Sequence, residues 1–236
     1  MSYKNKYISV VIPAAGMGKR MNNNINKQYI KLEGKEVLAR TVEKFNNNKF
    51  IDEIIVVARA DEVEFCKENI INRYGFDKVK SIISGGNERM NSVYNGLKKV
   101  KKDCNIVLIH DGARPFITDK IIKQSIDETI KFDSTVVGVK VKDTIKIVDN
   151  NNKVIDTPDR DYIWAVQTPQ TFKYDIIMGC YDKAISENIK VTDDSMIAEK
   201  YGYSVKMILG DYNNIKITTP EDLLFGEKIL KEGEAI

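Results

Sequence analysis

The chain has 236 residues, enough for one large α/β domain or two small ones. Its 37 Lys and Arg residues nearly balance its 34 Asp and Glu residues, and the resulting net charge of +3 excludes a histone-like protein that coats nucleic acid. The single histidine, His110, excludes sites that need two histidines, such as those of HExxH metalloproteases.

The cysteines are far apart and form no CxxC pair, which indicates reduced thiols that pack as small apolar residues (Cys66, Cys104 and Cys180). No apolar run approaches the ~20 residues of a membrane span. The first residues lead into a strand pattern and carry no signal-peptide pattern. We therefore expect a cytoplasmic protein that has neither a membrane nor a nucleic acid as its partner.

Short apolar runs alternate with amphipathic helix patterns through the first 141 residues. The runs are apolar at nearly every position, as in strands that are covered on both faces. The predicted strands are 8–12, 54–58, 79–83, 106–109 and 135–141, and the predicted helices are 37–46, 61–74, 89–100 and 118–132. This order favours right-handed βαβ units, and so an α/β fold with an open, mostly parallel sheet and helices on both faces.

The pattern changes after residue 141. Two short β-type segments, 144–148 and 153–156, flank Asp149-Asn150-Asn151-Asn152, and such an Asp/Asn cluster predicts a hairpin. Both segments carry polar residues, so the hairpin can bury little in a core of its own. We expect it to project as a β-arm over about residues 142–164 and to contact a partner subunit. A flexible surface segment is the alternative.

The helical pattern resumes in the last third of the chain. Helices are predicted at 174–187 and 193–201, a strand at 204–209, and a final helix after Thr219. Thr219 suits an N-cap, Pro220 suits the first helical position, and the two following acids complement the helix dipole. With no Pro/Ser-rich linker and no internal repeat, residues 1–236 are predicted to form one domain with its arm.

The loop after the first strand, residues 13–18, contains small residues and glycines that allow backbone N–H groups to approach a phosphate. It lacks the GxxxxGK[ST] pattern of a Walker A loop, and Met21 occupies the third glycine position of a dinucleotide fingerprint. Between Gly16 and Lys35 there are five cations and one acid, which suits a polyphosphate at the carboxyl end of a strand. A solvated basic loop is the alternative for this segment alone.

Five motifs follow one another along the chain. They are PAAGMGKRM (13–21) with KQY (27–29), GGNER (85–89) with SVYNGL (92–97), HDGARP (110–115), QTPQTF (167–172), and NIKIT (214–218) with PED (220–222). In this combination the chain resembles the 2-C-methyl-D-erythritol 4-phosphate cytidylyltransferase family over essentially its whole length. The resemblance implies a Rossmann-like nucleotidyltransferase fold. It also implies an enzyme that joins CTP and 2-C-methyl-D-erythritol 4-phosphate, with release of pyrophosphate, in non-mevalonate isoprenoid synthesis.

The resemblance also implies roles for individual residues. Nucleotide binding is expected at Ala14, Ala15, Gly16, Gly18, Gly86, Asn87, Ser92 and Asp111. Catalytic roles are expected for Arg20, Lys27, Lys216 and Arg160, and substrate binding for Arg114, Thr144 and Thr168. Mg²⁺ bound with CTP would be held near Asp111 through the phosphates, and Arg160 would come from the partner subunit of a homodimer. Asn87 stands where the family often has Asp.

The chemistry accounts for the scarcity of histidine. The nucleophile is an oxygen of a phosphate monoester, whose second pKa is about 6, so it is already largely dianionic at neutral pH. No general base is required, and we expect His110 to be structural. The obstacle is the repulsion between the dianionic substrate phosphate and the triphosphate of CTP. Fixed Arg and Lys side chains and Mg²⁺ would reduce this repulsion.

Two alternatives remain at this point. Ribitol-5-phosphate cytidylyltransferase has similar HDxxRPF, QTPQxF and IKxTTP stretches, and Phe116 and Thr219 favour it. The PAAG opening and the SVYNGL run favour the methylerythritol enzyme. A non-catalytic nucleotide-binding scaffold of the same fold would be expected to lose Arg20, Lys27 or Lys216, and all three are present. An NAD-dependent oxidoreductase is disfavoured by Met21.

Overall fold

The computed structural model describes residues 3–16 and 26–233, and for Lys27 the backbone alone. In these parts of the chain, the strands of the main sheet are β1 (Tyr7–Pro13), β4 (Glu53–Ala58), β5 (Val79–Ser84), β6 (Cys104–Ile109), β7 (Ser134–Lys140), β10 (Trp164–Lys173) and β11 (Lys206–Leu209). Two further pairs are β2 (Lys31–Leu32) with β3 (Lys35–Glu36), and β8 (Ile147–Val148) with β9 (Val154–Asp156). The main sheet has the order β11-β7-β10-β6-β1-β4-β5.

The helices connect these strands much as the sequence predicts. They are α1 (Val37–Asn46), α2 (Val63–Cys66), α3 (Arg89–Leu97), α4 (Asp119–Phe132), α5 (Tyr174–Ser186), α6 (Asp194–Lys200) and α7 (Pro220–Gly233). The predicted helix 61–74 is irregular, because a 3₁₀ turn precedes α2 and a π-helical turn over Lys67–Asn72 follows it. Among the described helices, none is long and apolar enough to cross a lipid bilayer.

The helices cover both faces of the sheet, as expected from the apolar strands. Ile8, Val10 and Ile12 of β1 face a core that α1 and α4 complete. Val11 faces the opposite core, to which α3, α5 and α6 contribute. Because successive side chains of a strand point to opposite faces, a strand buried on both sides must be apolar throughout.

The long strand β10 was not predicted. It lies in the middle of the sheet, antiparallel to both β6 and β7, and carries the QTPQTF motif. The pairing of β10 with β7 is irregular between Val166 and Gln170, where Pro169 stands. Proline lacks the N–H that a sheet ladder uses, so it is tolerated inside a sheet only at such an irregularity. The sheet remains mostly parallel, since β1, β4, β5 and β6 run in one direction.

The predicted hairpin is present, with shorter strands than expected. β8 and β9 pair antiparallel to each other and join no other described strand. Both strands are exposed along their whole length. The hairpin is therefore separate from the two cores of the sheet.

The three cysteines are buried and free, as the sequence predicts. Burial raises the pKa of the Cys66 thiol to about 12 and that of Cys104 to about 11. Both thiols are thus protonated at neutral pH and pack as small apolar groups.

Candidate active site

A crevice opens where the order of the strands reverses. From β1 the chain moves outward to β4 and β5, and then returns to β6 on the other side of β1. The segments that follow β1, β5 and β6 line this crevice at the carboxyl ends of these strands. This is the place where open α/β sheets bind their ligands.

Predicted site residues from distant parts of the chain line this crevice. Eight of them do so: Ala14, Ala15, Gly16, Gly86, Asn87, Ser92, Asp111 and Lys216. Gln28, Glu88 and Arg89 line the crevice as well, and the sequence analysis had assigned them no role. Arg89 could have been found from its place in the GGNER motif, as a cation that opens a helix at the carboxyl end of β5.

Backbone hydrogen bonds hold the loops of the crevice together. The Ala14 N–H donates to the carbonyl of Val57 at 2.8 Å, and the Gly112 N–H donates to the carbonyl of Pro13 at 3.1 Å. The loop after β1 is thereby fixed to β4 and to the segment that follows β6. Backbone groups held in this way are suitable for binding a phosphate without reorganisation.

Ser92 stabilises the turn that leads into α3. The Gly86 N–H donates to Oγ of Ser92 at 3.1 Å, and the Ser92 hydroxyl donates to the carbonyl of Glu88 at 3.1 Å. A side chain at residue 86 would bring its Cβ within 2.4 Å of Cβ of Asn91, so this close turn requires glycine. The turn presents Gly86 and Asn87 to the crevice.

Asp111 is the centre of the charge in the crevice. Its Oδ2 lies 2.8 Å from Nζ of Lys216 and 3.7 Å from Nε of Arg114, and its Oδ1 lies 3.3 Å from Nε of Arg89. Burial by itself would raise the pKa of Asp111, but the charges of Arg89, Lys216 and Arg114 outweigh it and hold that pKa well below its usual range. Asp111 is therefore ionised and contacts three cationic side chains.

Arg89 also binds a second carboxylate. Its two terminal nitrogens each lie 2.8 Å from an oxygen of Asp194, in the bidentate geometry that a guanidinium favours. Burial disfavours the charge, yet the nearby carboxylates of Asp194 and Asp111 raise the pKa of Arg89. Arg89 thus stays cationic at the side of the crevice.

His110 is structural, as expected. It is fully buried, its Nε2 lies 3.0 Å from the Arg114 carbonyl, and its Nδ1 lies 3.2 Å from Oγ1 of Thr168. A carbonyl only accepts, so Nε2 carries the proton and Nδ1 accepts from the Thr168 hydroxyl. Burial lowers the pKa of His110 to about 4, which keeps the ring neutral.

Thr168 links His110 to Asp111. Its Oγ1 accepts from the Asp111 N–H at 3.1 Å while its hydroxyl donates to His110. Thr168 is 5% exposed and lies behind Asp111. Its predicted contact with substrate remains a prediction, and its observed partners fix the backbone of the crevice.

Of the other predicted residues, Arg114 contacts Asp111 without lining the crevice, two lie on the arm, and the rest are outside the described residues. Arg114 is half-buried behind Asp111, and its Nη1 donates to the Asn214 carbonyl at 2.8 Å. Thr144 and Arg160 are exposed on the arm, and neither lines the crevice of its own chain. Gly18, Arg20 and the side chain of Lys27 are outside the described part of the chain.

No cluster of three or more His, Cys, Asp or Glu side chains suitable for a metal ion occurs within residues 3–16 and 26–233. Mg²⁺ in nucleotide sites is commonly held by one or two carboxylates together with phosphate oxygens. Asp111, ionised and at the carboxyl edge of β6, fits such a shared role. The crevice as a whole thus offers backbone N–H groups, cations and one carboxylate to a phosphorylated ligand.

Comparisons with known proteins identify the family that these features belong to. A sequence profile described as IspD, 2-C-methyl-D-erythritol 4-phosphate cytidylyltransferase, matches residues 8–232. The 2-C-methyl-D-erythritol 4-phosphate cytidylyltransferase of Alkaliphilus oremlandii is 55% identical over 223 residues, which cover 94% of each chain. The protein of the same name from Clostridioides difficile is 54% identical over 222 residues, 94% of this chain and 93% of its own.

A solved structure agrees in fold. The crystal structure of 4-diphosphocytidyl-2C-methyl-D-erythritol synthase from Anaerococcus prevotii superposes with a TM-score of 0.86 at 38% sequence identity. The match covers 97% of each chain. The expected nucleotidyltransferase-like α/β fold with a mostly parallel sheet is thereby confirmed.

Proposed function

This chain belongs to the 2-C-methyl-D-erythritol 4-phosphate cytidylyltransferase family, and we propose that its crevice joins CTP and 2-C-methyl-D-erythritol 4-phosphate. The products are 4-diphosphocytidyl-2-C-methyl-D-erythritol and pyrophosphate, and the reaction belongs to isoprenoid precursor synthesis. The observation that carries the proposal is the meeting of the Ala14–Gly16 loop, the Gly86–Ser92 turn, Asp111 and Lys216 at one place.

The reaction requires charge neutralisation more than acid–base catalysis. A phosphate oxygen of the substrate attacks the α-phosphorus of CTP, the bond from that phosphorus to the bridging oxygen breaks, and pyrophosphate leaves. Since the second pKa of a phosphate monoester is about 6, the attacking oxygen needs no base at neutral pH. The buried neutral ring of His110 and the cations around Asp111 support this division of tasks.

The nucleotide side of the site uses the loops after β1 and β5. Ala14, whose N–H is bonded to the Val57 carbonyl, would hold this loop in place, and the backbone N–H groups of Ala15, Gly16 and Gly18 would bind the triphosphate. Gly86, Asn87 and Ser92 would bind the cytosine through main-chain groups at the turn, which the Ser92 hydroxyl keeps in shape.

The catalytic side of the site uses fixed cations. We assign Arg20 and Lys27 to the charge that develops at the α-phosphate, where Arg can bind two oxygens and Lys acts as a point charge. Lys216 would bind the phosphate of the polyol substrate from its place on Asp111. Arg114 supports this arrangement from behind.

The arm would complete the site of a second copy. Arg160 and Thr144 are exposed and do not line the crevice of their own chain, although the family resemblance assigns both to the substrate. In a homodimer whose arms cross, Arg160 of the partner subunit would reach the substrate phosphate. The separation of the hairpin from the main sheet supports this assembly.

Mg²⁺ would be held by the phosphates of CTP with Asp111 as its neighbour on the protein. When bound, the ion supplies positive charge to the triphosphate. Both oxygens of Asp111 already face cations, so the carboxylate would contribute at most a shared contact. A cytoplasmic location remains our prediction, and the buried free thiols support it.

The experiment that tests the function is a measurement of pyrophosphate release from CTP. We expect release with 2-C-methyl-D-erythritol 4-phosphate and little with ribitol 5-phosphate, with UTP in place of CTP as a control for the base. Equal or faster release with ribitol 5-phosphate would replace the proposed substrate by the alternative one. Binding of CTP without turnover of either polyol phosphate would favour a non-catalytic nucleotide-binding protein.

Replacement of Lys216 by alanine tests the assigned cation. We expect kcat to fall by about 100-fold, since an electrostatic contact to a reacting phosphate is lost. Lys228→Ala is the matched control, because Lys228 is exposed on α7 and contacts Glu232. A Lys216→Ala enzyme with the kcat of the Lys228→Ala enzyme would remove Lys216 from the mechanism.

A further inference from the structure

Arg89 contacts two carboxylates at once at the side of the crevice. Both terminal nitrogens of its guanidinium bind Asp194 at 2.8 Å, whereas only Nε faces Asp111, at 3.3 Å. The contact with Asp111 is therefore the weaker one. Oδ2 of Asp111 remains with Lys216, at 2.8 Å.

Asp194 is held firmly in the position that binds Arg89. It is fully buried, and its Oδ1 accepts from the Tyr181 hydroxyl at 2.5 Å. Its backbone N–H donates at 3.0 Å to Oε1 of Gln170, a buried residue of β10 that pairs with Ile109 of β6. The start of α6 is thus tied to β10, the neighbour of β6, and β6 ends two residues before Asp111.

The five charged groups of this cluster nearly balance one another. Arg89, Arg114 and Lys216 oppose Asp111 and Asp194, which leaves one positive charge in excess. A cluster without the Asp194 charge would have an excess of two. In such a cluster, the two terminal nitrogens of Arg89 would be free to bind both oxygens of Asp111 or a phosphate of the nucleotide.

We propose that Asp194 is a positioning residue of the transfer reaction: it holds Arg89 by both terminal nitrogens, so that Asp111 keeps Oδ2 for Lys216. The inference rests on the proposed function, in which Lys216 binds the substrate phosphate. Asp194 touches no reacting atom and acts through Arg89. Its loss would strengthen the attraction of the crevice for anions while misplacing the cation that the reaction uses.

The test is the variant Asp194→Asn, made both in the wild-type chain and in an Arg89→Ala chain. Asparagine keeps the size of the side chain and the backbone N–H bond to Gln170, and removes the charge. With Arg89 present, we expect kcat to fall about tenfold or more, as for other misplaced catalytic groups. The Kd for CTP, measured by calorimetry, should decrease about two- to fivefold, because the guanidinium of Arg89, released from Asp194, can bind a phosphate of the nucleotide.

In the Arg89→Ala chain, Asp194→Asn should change neither quantity further, because the residue through which Asp194 acts is gone. Equal losses of kcat in both backgrounds, or weaker CTP binding in the single variant, would indicate a structural role and overturn the proposal. If the wild-type chain released no pyrophosphate, the proposed function would be wrong. The Kd comparison would still decide whether Asp194 acts through Arg89.

Two further variants complete the experiment. Tyr181→Phe removes only the hydroxyl that holds Asp194, and we expect a smaller loss of kcat that is again absent in the Arg89→Ala chain.

Asp182→Asn is the matched control, since Asp182 is an exposed carboxylate that accepts from Tyr94 on α3 at 2.7 Å and does not line the crevice. Its kcat and Kd should be those of the wild type, and a loss of kcat in Asp182→Asn as large as in Asp194→Asn would also overturn the proposal.

Discussion

At the scale of single residues, a chain of hydrogen bonds connects His110, the only histidine of the sequence, with the neighbouring Asp111. The Asp111 N–H donates to Thr168, Thr168 donates to His110, and His110 donates to the Arg114 carbonyl. The bond from Thr168 needs an unprotonated Nδ1 and the bond to the Arg114 carbonyl needs a proton on Nε2, which together define the neutral ring. The ring therefore fixes the loop that carries Asp111 and Arg114, without taking part in proton transfer.

This arrangement predicts how stability depends on pH. The unfolded chain binds a proton at His110 with a pKa near 6.5, whereas the folded chain does so only at about 4. Between these values the unfolded state holds more protons, so the free energy of unfolding falls as the pH decreases through that window. His110 should account for a loss of about 2 kcal/mol between pH 7 and pH 5.

Urea unfolding of the wild type and of His110→Gln at pH 7 and pH 5 measures this effect. The variant should be less stable at pH 7, but its loss of stability between the two pH values should be smaller by the His110 contribution. The chain has one histidine, so no second imidazole contributes to the difference. An identical pH dependence in both proteins would contradict the neutral, buried ring.

At the scale of elements, the close approach of α3 to the sheet positions the turn that faces the crevice. Gly96 of α3 lies directly on the sheet, where an added Cβ would be 2.4 Å from Cγ1 of Val11 and 3.0 Å from Cγ2 of Val57. Both valines are fully buried and belong to neighbouring strands, β1 and β4. Their branched side chains have no room to move aside in a close-packed core.

Gly96→Ala should consequently destabilise the protein by about 1–3 kcal/mol through overpacking. Gly179→Ala is the matched control, because Gly179 is an exposed helical residue of α5 with nothing within 4 Å of an added Cβ. It should stabilise the protein by up to about 1 kcal/mol through helix propensity. Chemical denaturation of both variants measures the contrast, and a neutral Gly96→Ala would show that the α3–sheet contact can relax.

At the scale of the whole molecule, the arm exposes several apolar side chains. Exposed apolar side chains include Ile147, Val154, Ile155 and Tyr162, of which Tyr162 is 81% exposed. Contiguous apolar surface outside a core commonly marks a contact with another protein. Combined with the position of Arg160 on the arm, this surface supports the homodimer with shared sites that we propose.

Mixing two inactive variants tests the shared site. An Arg160→Ala subunit keeps its own crevice, and a Lys216→Ala subunit keeps its own arm, so a mixed dimer contains one complete site. Random mixing should restore roughly a quarter of the wild-type activity, since half of the dimers then carry one intact site of two. Sedimentation must establish that dimers form, and verified mixed dimers without activity would place Arg160 outside the partner's site.

The sequence by itself determined the elements and most of the candidate site. Runs of consecutive apolar residues identified five strands of the mostly parallel sheet, such as β1 and β4. A strand that is buried on both faces shows such a run, because it has no exposed face on which polar residues could alternate. The PAAG, GGNER, HDGARP and NIKIT motifs supplied the residues that meet in the crevice, because each motif directly follows a strand or precedes a helix whose place in the fold is set.

Only the tertiary structure decided which of these residues depend on one another. The sequence analysis missed β10 because this segment contains Pro169 and many polar residues, which do not give an apolar strand pattern. Its pairing with β6 and β7 identifies it as a strand. Arg89 bridges two carboxylates that are far from it in the chain. Asp194 is 105 positions away from Arg89, and Asp111 is 22 positions away. Which distant charges form an ion pair depends on the helices and loops that folding brings together, and no local sequence pattern records that contact.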